Sequence, residues 1–271
     1  MATLVIVEVC DGGFDAAEMH LKGVYNLFRL GGGYDSFKDQ FILCKSINLA
    51  DIQVATALGQ GLVFPLMQTD QPQLLPTILE HPFDPPLHDS VTSGSHYCSW
   101  IFTQLRQLLL ATQSSTISVD DQRTLLNIVD YSTLRHLYTG FTDTSYTGRR
   151  SRALVLAAQV FMYLTLRQVP PRSPLICRMC DRLRRMMEVD QPGGIWADHG
   201  EAMLWVAFIG LLGTEGKWFL HHFKSTVQAL QKEIFSGNDG IVGIFSSFLW
   251  DEALCPQLLA RLEDPGVFNE A

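Results

Sequence analysis

Apolar residues return at alternating intervals of three and four along most of this chain, while runs that alternate apolar with polar residues are nearly absent. That periodicity lines one face of a helix with core residues and leaves little from which to build a half-buried strand. The expected fold is therefore all-α, a large bundle of about nine to eleven packed helices with no significant sheet. Phe14, Ala17, Leu21, Val24 and Phe28 form one such stripe, closed by Gly31-Gly32-Gly33, and Phe37, Phe41, Cys44, Ile47 and Leu49 mark a second helix within about 36–58. Trp100, Ile101, Leu105, Leu108 and Leu109 precede a capping-box pattern, Ser118 with Asp121, ahead of Leu125, Ile128, Val129 and Leu137, which implies a helix-turn-helix hairpin. Ser173-Pro174 opens a helix that presents Ile176, Met179, Leu183 and Met186 or Met187 to the core. Asp198 and Glu201 repeat the capping-box arrangement before Leu204, Val206, Phe208 and Ile209, and two further apolar series follow, from Trp218 and from Ile244. The exception is Thr3–Val9, a β-prone run.

The chain has 271 residues, 47% of them hydrophobic, enough to bury the core of one large domain, 1–271. Residues 68–95 change character: Pro72, Pro76, Pro82, Pro85 and Pro86 exclude a continuous regular element, so this stretch is expected to be a loop or linker between two helical halves. The apolar stretch Ala153–Leu166 falls short of the roughly 18 to 20 residues that cross a bilayer and reads as a buried helix, so no membrane partner is expected. Glu8 cuts short the N-terminal apolar run, which lacks a basic flank, and secretion is not expected. The six cysteines, Cys10, Cys44, Cys98, Cys177, Cys180 and Cys255, lie scattered in apolar surroundings and read as reduced, mostly buried thiols. A net charge of −8 and a pI near 5.4 repel a phosphate backbone, so no direct nucleic-acid binding is expected.

Few residue constellations point to chemistry. Cys177-x-x-Cys180 supplies half of a zinc site or a redox pair, but no second ligand pair follows and no strand precedes it; on a helix the two thiols lie one turn apart. His199-Gly200-Glu201 pairs with those cysteines in the reverse of the order that zinc deaminases use, and Glu201 has a capping role. His221 and His222, adjacent on a helix, point about 100° apart and do not converge on one ion. Arg149, Arg150, Arg152, Arg178, Arg182, Arg184 and Arg185 are the local positive concentrations, interleaved with Asp181 and Glu188, and read as outward helix faces. No nucleophile elbow, Walker loop or dinucleotide fingerprint occurs. No catalytic residue, metal ligand or cofactor is expected. The rival from another class is a helical metal-dependent or small-molecule-modifying enzyme using His199, Glu201, Cys177 and Cys180, and a third reading is a protein-interaction scaffold.

Three stretches in matching order resemble the regulatory domain of fungal zinc-cluster transcription factors. They are Ala16 to Leu27 running into Gly31-Gly32-Gly33; Leu204-Trp205-Val206-Ala207-Phe208-Ile209-Gly210 with Trp218-Phe219 after it; and Phe248-Leu249-Trp250 running on to Cys255. Arg29 stands two residues before the glycines, where that family places arginine directly ahead of them. The resemblance implies a nuclear, non-enzymatic helical domain that modulates transcription through a small effector, a homodimer or a zinc-cluster partner protein. The six-cysteine DNA-binding cluster has no counterpart in these residues, so DNA binding does not carry over. The resemblance also sets Met1 already inside the helical bundle, which implies a shortened N-terminus and apolar surface left uncovered there.

Overall fold

The computed structural model describes residues 1–67, 85–113, 117–138, 143–188, 194–231 and 240–263. Among the described residues there are thirteen helices and no strand, so the fold is all-α. In order these are α1 (Ala2–Asp11), α2 (Phe14–Leu30), α3 (Tyr34–Phe37), α4 (Phe41–Leu58), α5 (Asp89–Thr92), α6 (His96–Gln113), α7 (Val119–Tyr138), α8 (Tyr146–Thr165), α9 (Pro174–Glu188), α10 (Gly200–Thr214), α11 (Lys217–Ala229), α12 (Gly240–Ser246) and α13 (Cys255–Glu263). Two of them, α3 and α5, are single turns.

Two helices apolar on every face sit at the centre, as such helices must. On α8 every residue from Ala153 to Leu164 is buried, which is the interior helix expected of that stretch, and α10 is buried from Leu204 to Gly213. Around them pack α6, α7, α9 and α11, while α1, α2 and α4 form a three-helix group that reaches the rest through α7 and α9. At Gly210 a Cβ would run into the ring of Phe219, so the missing side chain is what lets α10 and α11 approach. Four of the cysteines are buried, Cys10 and Cys177 are exposed, and all six are free thiols.

The β-prone run Thr3–Val9 is helical. Val5 and Val9, four residues apart, are both fully buried against α2 and α4, and Gly12 ends the helix in the left-handed conformation at φ 84. The helix penalty of a β-branched residue is only a few tenths of a kcal/mol, whereas burying a valine stabilises by about 1.5 kcal/mol or more, so packing decides. The helix expected within 36–58 is divided into α3 and α4 by a break at Lys38–Gln40. Of the proline-rich stretch, 68–84 lies outside the described residues, and 85–95 is not all loop: it contains α5, capped by the His88 ring, whose Nδ1 accepts the Ser90 amide at 3.1 Å. The Ser118 cap forms as expected, its Oγ accepting the Asp121 amide at 3.1 Å and donating to Asp121 Oδ2 at 2.7 Å. Ser173 likewise accepts the Ile176 amide at the start of α9.

Among the described residues α4 is the one helix long and apolar enough to cross a bilayer, with a mean hydropathy of 1.3. It carries buried Asn48 and Asp51, and both are engaged inside the protein. Asp51 accepts the backbone amides of Val63 and Phe64 at 3.0 and 2.8 Å and so ties the segment after α4 back onto the helix. Burial pushes its carboxyl up from 3.8 to about 6, against those two hydrogen bonds, which pull it down. A carboxyl with a raised folded-state pKa holds its proton more tightly folded than unfolded. Its contribution is therefore most favourable below the unfolded value and is lost as pH rises from about 4 through about 6. Asp51→Asn should remove this part of the slope, at most ~3 kcal/mol at 1.36 kcal/mol per unit; urea unfolding at half-unit pH steps checks it, and identical slopes in the two proteins would refute it.

Candidate functional site

A polar network is sealed in the middle of this apolar bundle. Asp130 on α7 is fully buried, and its carboxylate accepts from Gln159 Nε2 at 2.8 Å, Tyr163 OH at 2.7 Å and Arg167 Nε at 3.1 Å. Gln159 and Tyr163 stand one turn apart on α8, so a single helix face delivers both donors. Arg167 lies just past the end of α8, its Nη2 2.9 Å from Asp130 Oδ2 and 3.1 Å from Asn127 Oδ1, with the guanidinium 5.2 Å from the Tyr163 ring centre. The Thr56 hydroxyl on α4 meets both Tyr163 OH and Gln159 Nε2, and the Thr56 carbonyl accepts from Arg182 on α9. Four helices thus share one set of hydrogen bonds. Burial pushes the Asp130 carboxyl up, and the Arg167 charge pulls it down ahead of the hydrogen bonds from Gln159, Tyr163 and Arg167. Tyr163 is held protonated, first by burial and then by the adjacent carboxylate.

Directly over this network opens a cavity of about 610 Å³ bounded by α1, α4, α7 and the end of α8. Such a volume is in the range of small-molecule sites. Arg167 forms part of its wall, side by side with Asn127, and Lys45, Arg123 and Asp120 complete its charged groups. The chain leaves α8 through hydrogen bonds from Arg167 and Val169 amides to the Met162 and Tyr163 carbonyls, and Gln168 turns in the left-handed region at φ 53. A non-glycine residue held there costs of order 1 kcal/mol, and Arg172, Asp198 and Glu215 share that conformation.

A second polar centre lies at the start of α10. His88 Nε2 donates to Glu201 Oε2 at 2.6 Å, while Nδ1 accepts from the Ser90 hydroxyl at 2.7 Å. The His88 ring stacks on Phe248 at 4.4 Å, and Phe248 in turn stacks on Trp205 at 5.2 Å. The serine-histidine-carboxylate order invites a nucleophile reading, but Ser90 is wholly buried inside α5 and its hydroxyl meets no solvent. Arg106 closes the arrangement from α6 by donating to the carbonyls of Pro85, Ser246 and Phe248. Burial lowers its pKa to about 10.

The residues singled out by spacing fall elsewhere. Glu201 is no capping-box partner: the residue ahead of α10 is His199, without a side-chain cap, and Asp198 sits at φ 60, turned out of the geometry a cap needs. Cys180 packs against Gly213, whereas Cys177 faces out from the same helix, and burial raises the Cys180 thiol to about 12. Among the described residues no three His, Cys, Asp or Glu side chains converge as a metal site, so His199, Glu201, Cys177 and Cys180 are not brought together. The His221 and His222 rings meet edge to face, 5.6 Å apart and 80° between planes, and His222 lies against Trp218. Of the arginines, Arg184 and Arg185 pair with Asp181, and Arg184 also with Glu188, on the outer face of α9. Arg150 and Arg182 depart from the outward pattern expected of them: Arg150 is buried, its Nε without a hydrogen bond among the described residues, and Arg182 turns inward to the Thr56 carbonyl. No protein-family model, no curated protein and no solved structure matches this chain.

Neither the Asp130 network nor the cavity was visible from spacing alone. The signal in the sequence was Gln159 set inside a mostly apolar run and Arg167 at its end, a polar pair whose donors meet at the buried Asp130.

Proposed function

We propose that this chain is a regulatory domain that acts by binding a small effector, in the manner of the fungal zinc-cluster transcription factors whose regulatory domain its sequence resembles. The observation that carries the reading is the cavity whose wall residue, Arg167, belongs to the hydrogen-bond network joining α4, α7, α8 and α9. A ligand that contacts Arg167 acts on the packing of all four helices together, which is how a small molecule biases a two-state element. The motifs behind the resemblance also pack on one another: Trp205 Nε1 donates to the Leu249 carbonyl at 3.1 Å, and Phe208 lies 6.3 Å from Trp250. On this reading the domain works in the nucleus, without covalent chemistry of its own, alongside a zinc-cluster protein or a second copy of itself.

The test is a fusion to an unrelated DNA-binding domain upstream of a reporter gene, read with and without extracts of small metabolites. Output that changes several-fold from that of the DNA-binding domain alone, and responds to the metabolites, is the expected result. Output indistinguishable from the DNA-binding domain alone under every condition would overturn it.

A further inference from the structure

We infer that the cavity over Asp130 takes a small amphipathic carboxylate, an organic acid with a short hydrocarbon body. This rests on the effector reading and adds to it the chemical class of the ligand.

The chain carries a net charge of −8, yet the charged groups lining this cavity are Lys45, Arg123, Arg167 and Asp120, and with Arg167 paired to Asp130 behind the wall, Lys45 and Arg123 stand against Asp120 alone. Asp120 does not neutralise them: it is 86% exposed, and its ion pair to Arg123, the one it makes among the described residues, is long at 3.8 Å. The Lys45 ammonium rests 4.0 Å from the Phe41 ring centre and has no carboxylate partner among the described residues. Arg167 commits Nε and Nη2 to Asp130 and Asn127, which leaves Nη1 as the group of that guanidinium without a partner among the described residues. Its position is fixed from behind before any ligand arrives, so binding loses little side-chain entropy. The first turn of α7, at Val119 and Asp120, borders the same space and adds the positive end of a helix dipole.

Beside these cations the lining is hydrocarbon, with Ile6 from α1, Leu49 from α4, Leu126 from α7 and Leu166 just past α8. An inorganic anion would leave that wall facing water, and a neutral apolar molecule would leave the cations unanswered. A phosphate ester, with three oxygens to satisfy, fits less well because Ser118 already occupies the Asp121 amide of the nearby helix start. A carboxylate needs only the few donors that remain.

The experiment is isothermal calorimetry on the full chain with hexanoate, adipate and phenylacetate, each against its neutral amide, and with butyl phosphate. At least one carboxylate should bind about tenfold or more tighter than its amide, the factor a single charge-assisted hydrogen bond supplies. Lys45→Met and Arg123→Met, both at solvent-facing side chains, should each weaken it several-fold, while Arg185→Ala on the far face of α9 leaves it unchanged. Amides binding as well as the acids, indifference to both cavity variants, preference for butyl phosphate, or no binding by any carboxylate overturns the assignment. The tethered reporter separates the two claims: acids that bind through Lys45 and Arg123 without altering its output uphold the ligand class and count against regulation, whereas output driven by neutral compounds alone refutes the class and keeps regulation.

Discussion

Asp130→Ala is expected to lower folding stability by ~3–5 kcal/mol, the range for removing one partner of a buried ion pair. The loss has little to do with packing volume. It removes the charged acceptor that the Arg167 guanidinium, the Gln159 amide and the Tyr163 hydroxyl share, and leaves them the weaker, neutral partners Asn127 and Thr56. Arg167→Met is the informative companion. It leaves Asp130 as the stranded charge, and a carboxyl already pushed up by burial then rises further once the cation pulling it down is gone. The folded state of that variant binds a proton more tightly than the unfolded chain, so its stability should be best in acid and fall as pH climbs past the ordinary carboxylate range. Urea unfolding at pH 5 and pH 8 distinguishes the two: Asp130→Ala removes a group whose raised pKa favours the folded state most in acid and should lose more at pH 5, while Arg167→Met should lose more at pH 8. Asp130→Leu combined with Arg167→Met should cost less than the sum of the single changes, because each single change strands the other residue. A loss below about 1 kcal/mol for Asp130→Ala would mean that the carboxylate is solvated in solution.

The helices themselves were legible because a core-facing stripe is a local property of sequence. Phe14, Ala17, Leu21, Val24 and Phe28 needed no tertiary information, and Ala17, Leu21, Val24 and Phe28 are the buried residues of α2. Thr3–Val9 misled for the converse reason: valine and isoleucine favour strands when nothing else is known, and the fact that Val5 and Val9 share a face matters only once α2 and α4 lie against it. Caps were legible where the side chain has no better offer. Ser118 takes its own helix amide, but Glu201, which the same pattern assigned to a cap, is taken by His88, 113 positions away in sequence. Long-range partners of that kind leave no spacing to read. Asp130 is the same case: on α7 it looks like one more polar position on an amphipathic helix, and only the arrival of α8 turns it inward. The cavity is further from the sequence still, because its cations come from α4, α7 and the end of α8, and no short motif unites them.

Trp205→Ala is expected to cost ~3–5 kcal/mol, the range for removing a large buried aromatic, with a further ~1 kcal/mol because the Leu249 carbonyl loses its donor. Against the ~5–15 kcal/mol by which domains of ordinary size are stable, that is a large share. Trp205 is fully buried, stacks on Phe248 at 12° and meets Phe102 at 5.4 Å, so it joins α6 to the segment after α12 through α10. The expected consequence is local before it is global: residues 240–263 should loosen first, seen as faster amide hydrogen exchange there than on α8. Trp205→Phe keeps a stacking ring and should lose mainly the hydrogen bond. Arg106→Met strands the carbonyls of Pro85, Ser246 and Phe248 on the same segment, and should produce the same exchange pattern without touching the aromatic stack. If Trp205→Ala instead speeds exchange evenly over the bundle, the C-terminal segment unfolds together with α8 and α10 as one cooperative unit. A ligand acting on Arg167 would then reach α12 through the core, because no separately mobile piece would exist for it to release.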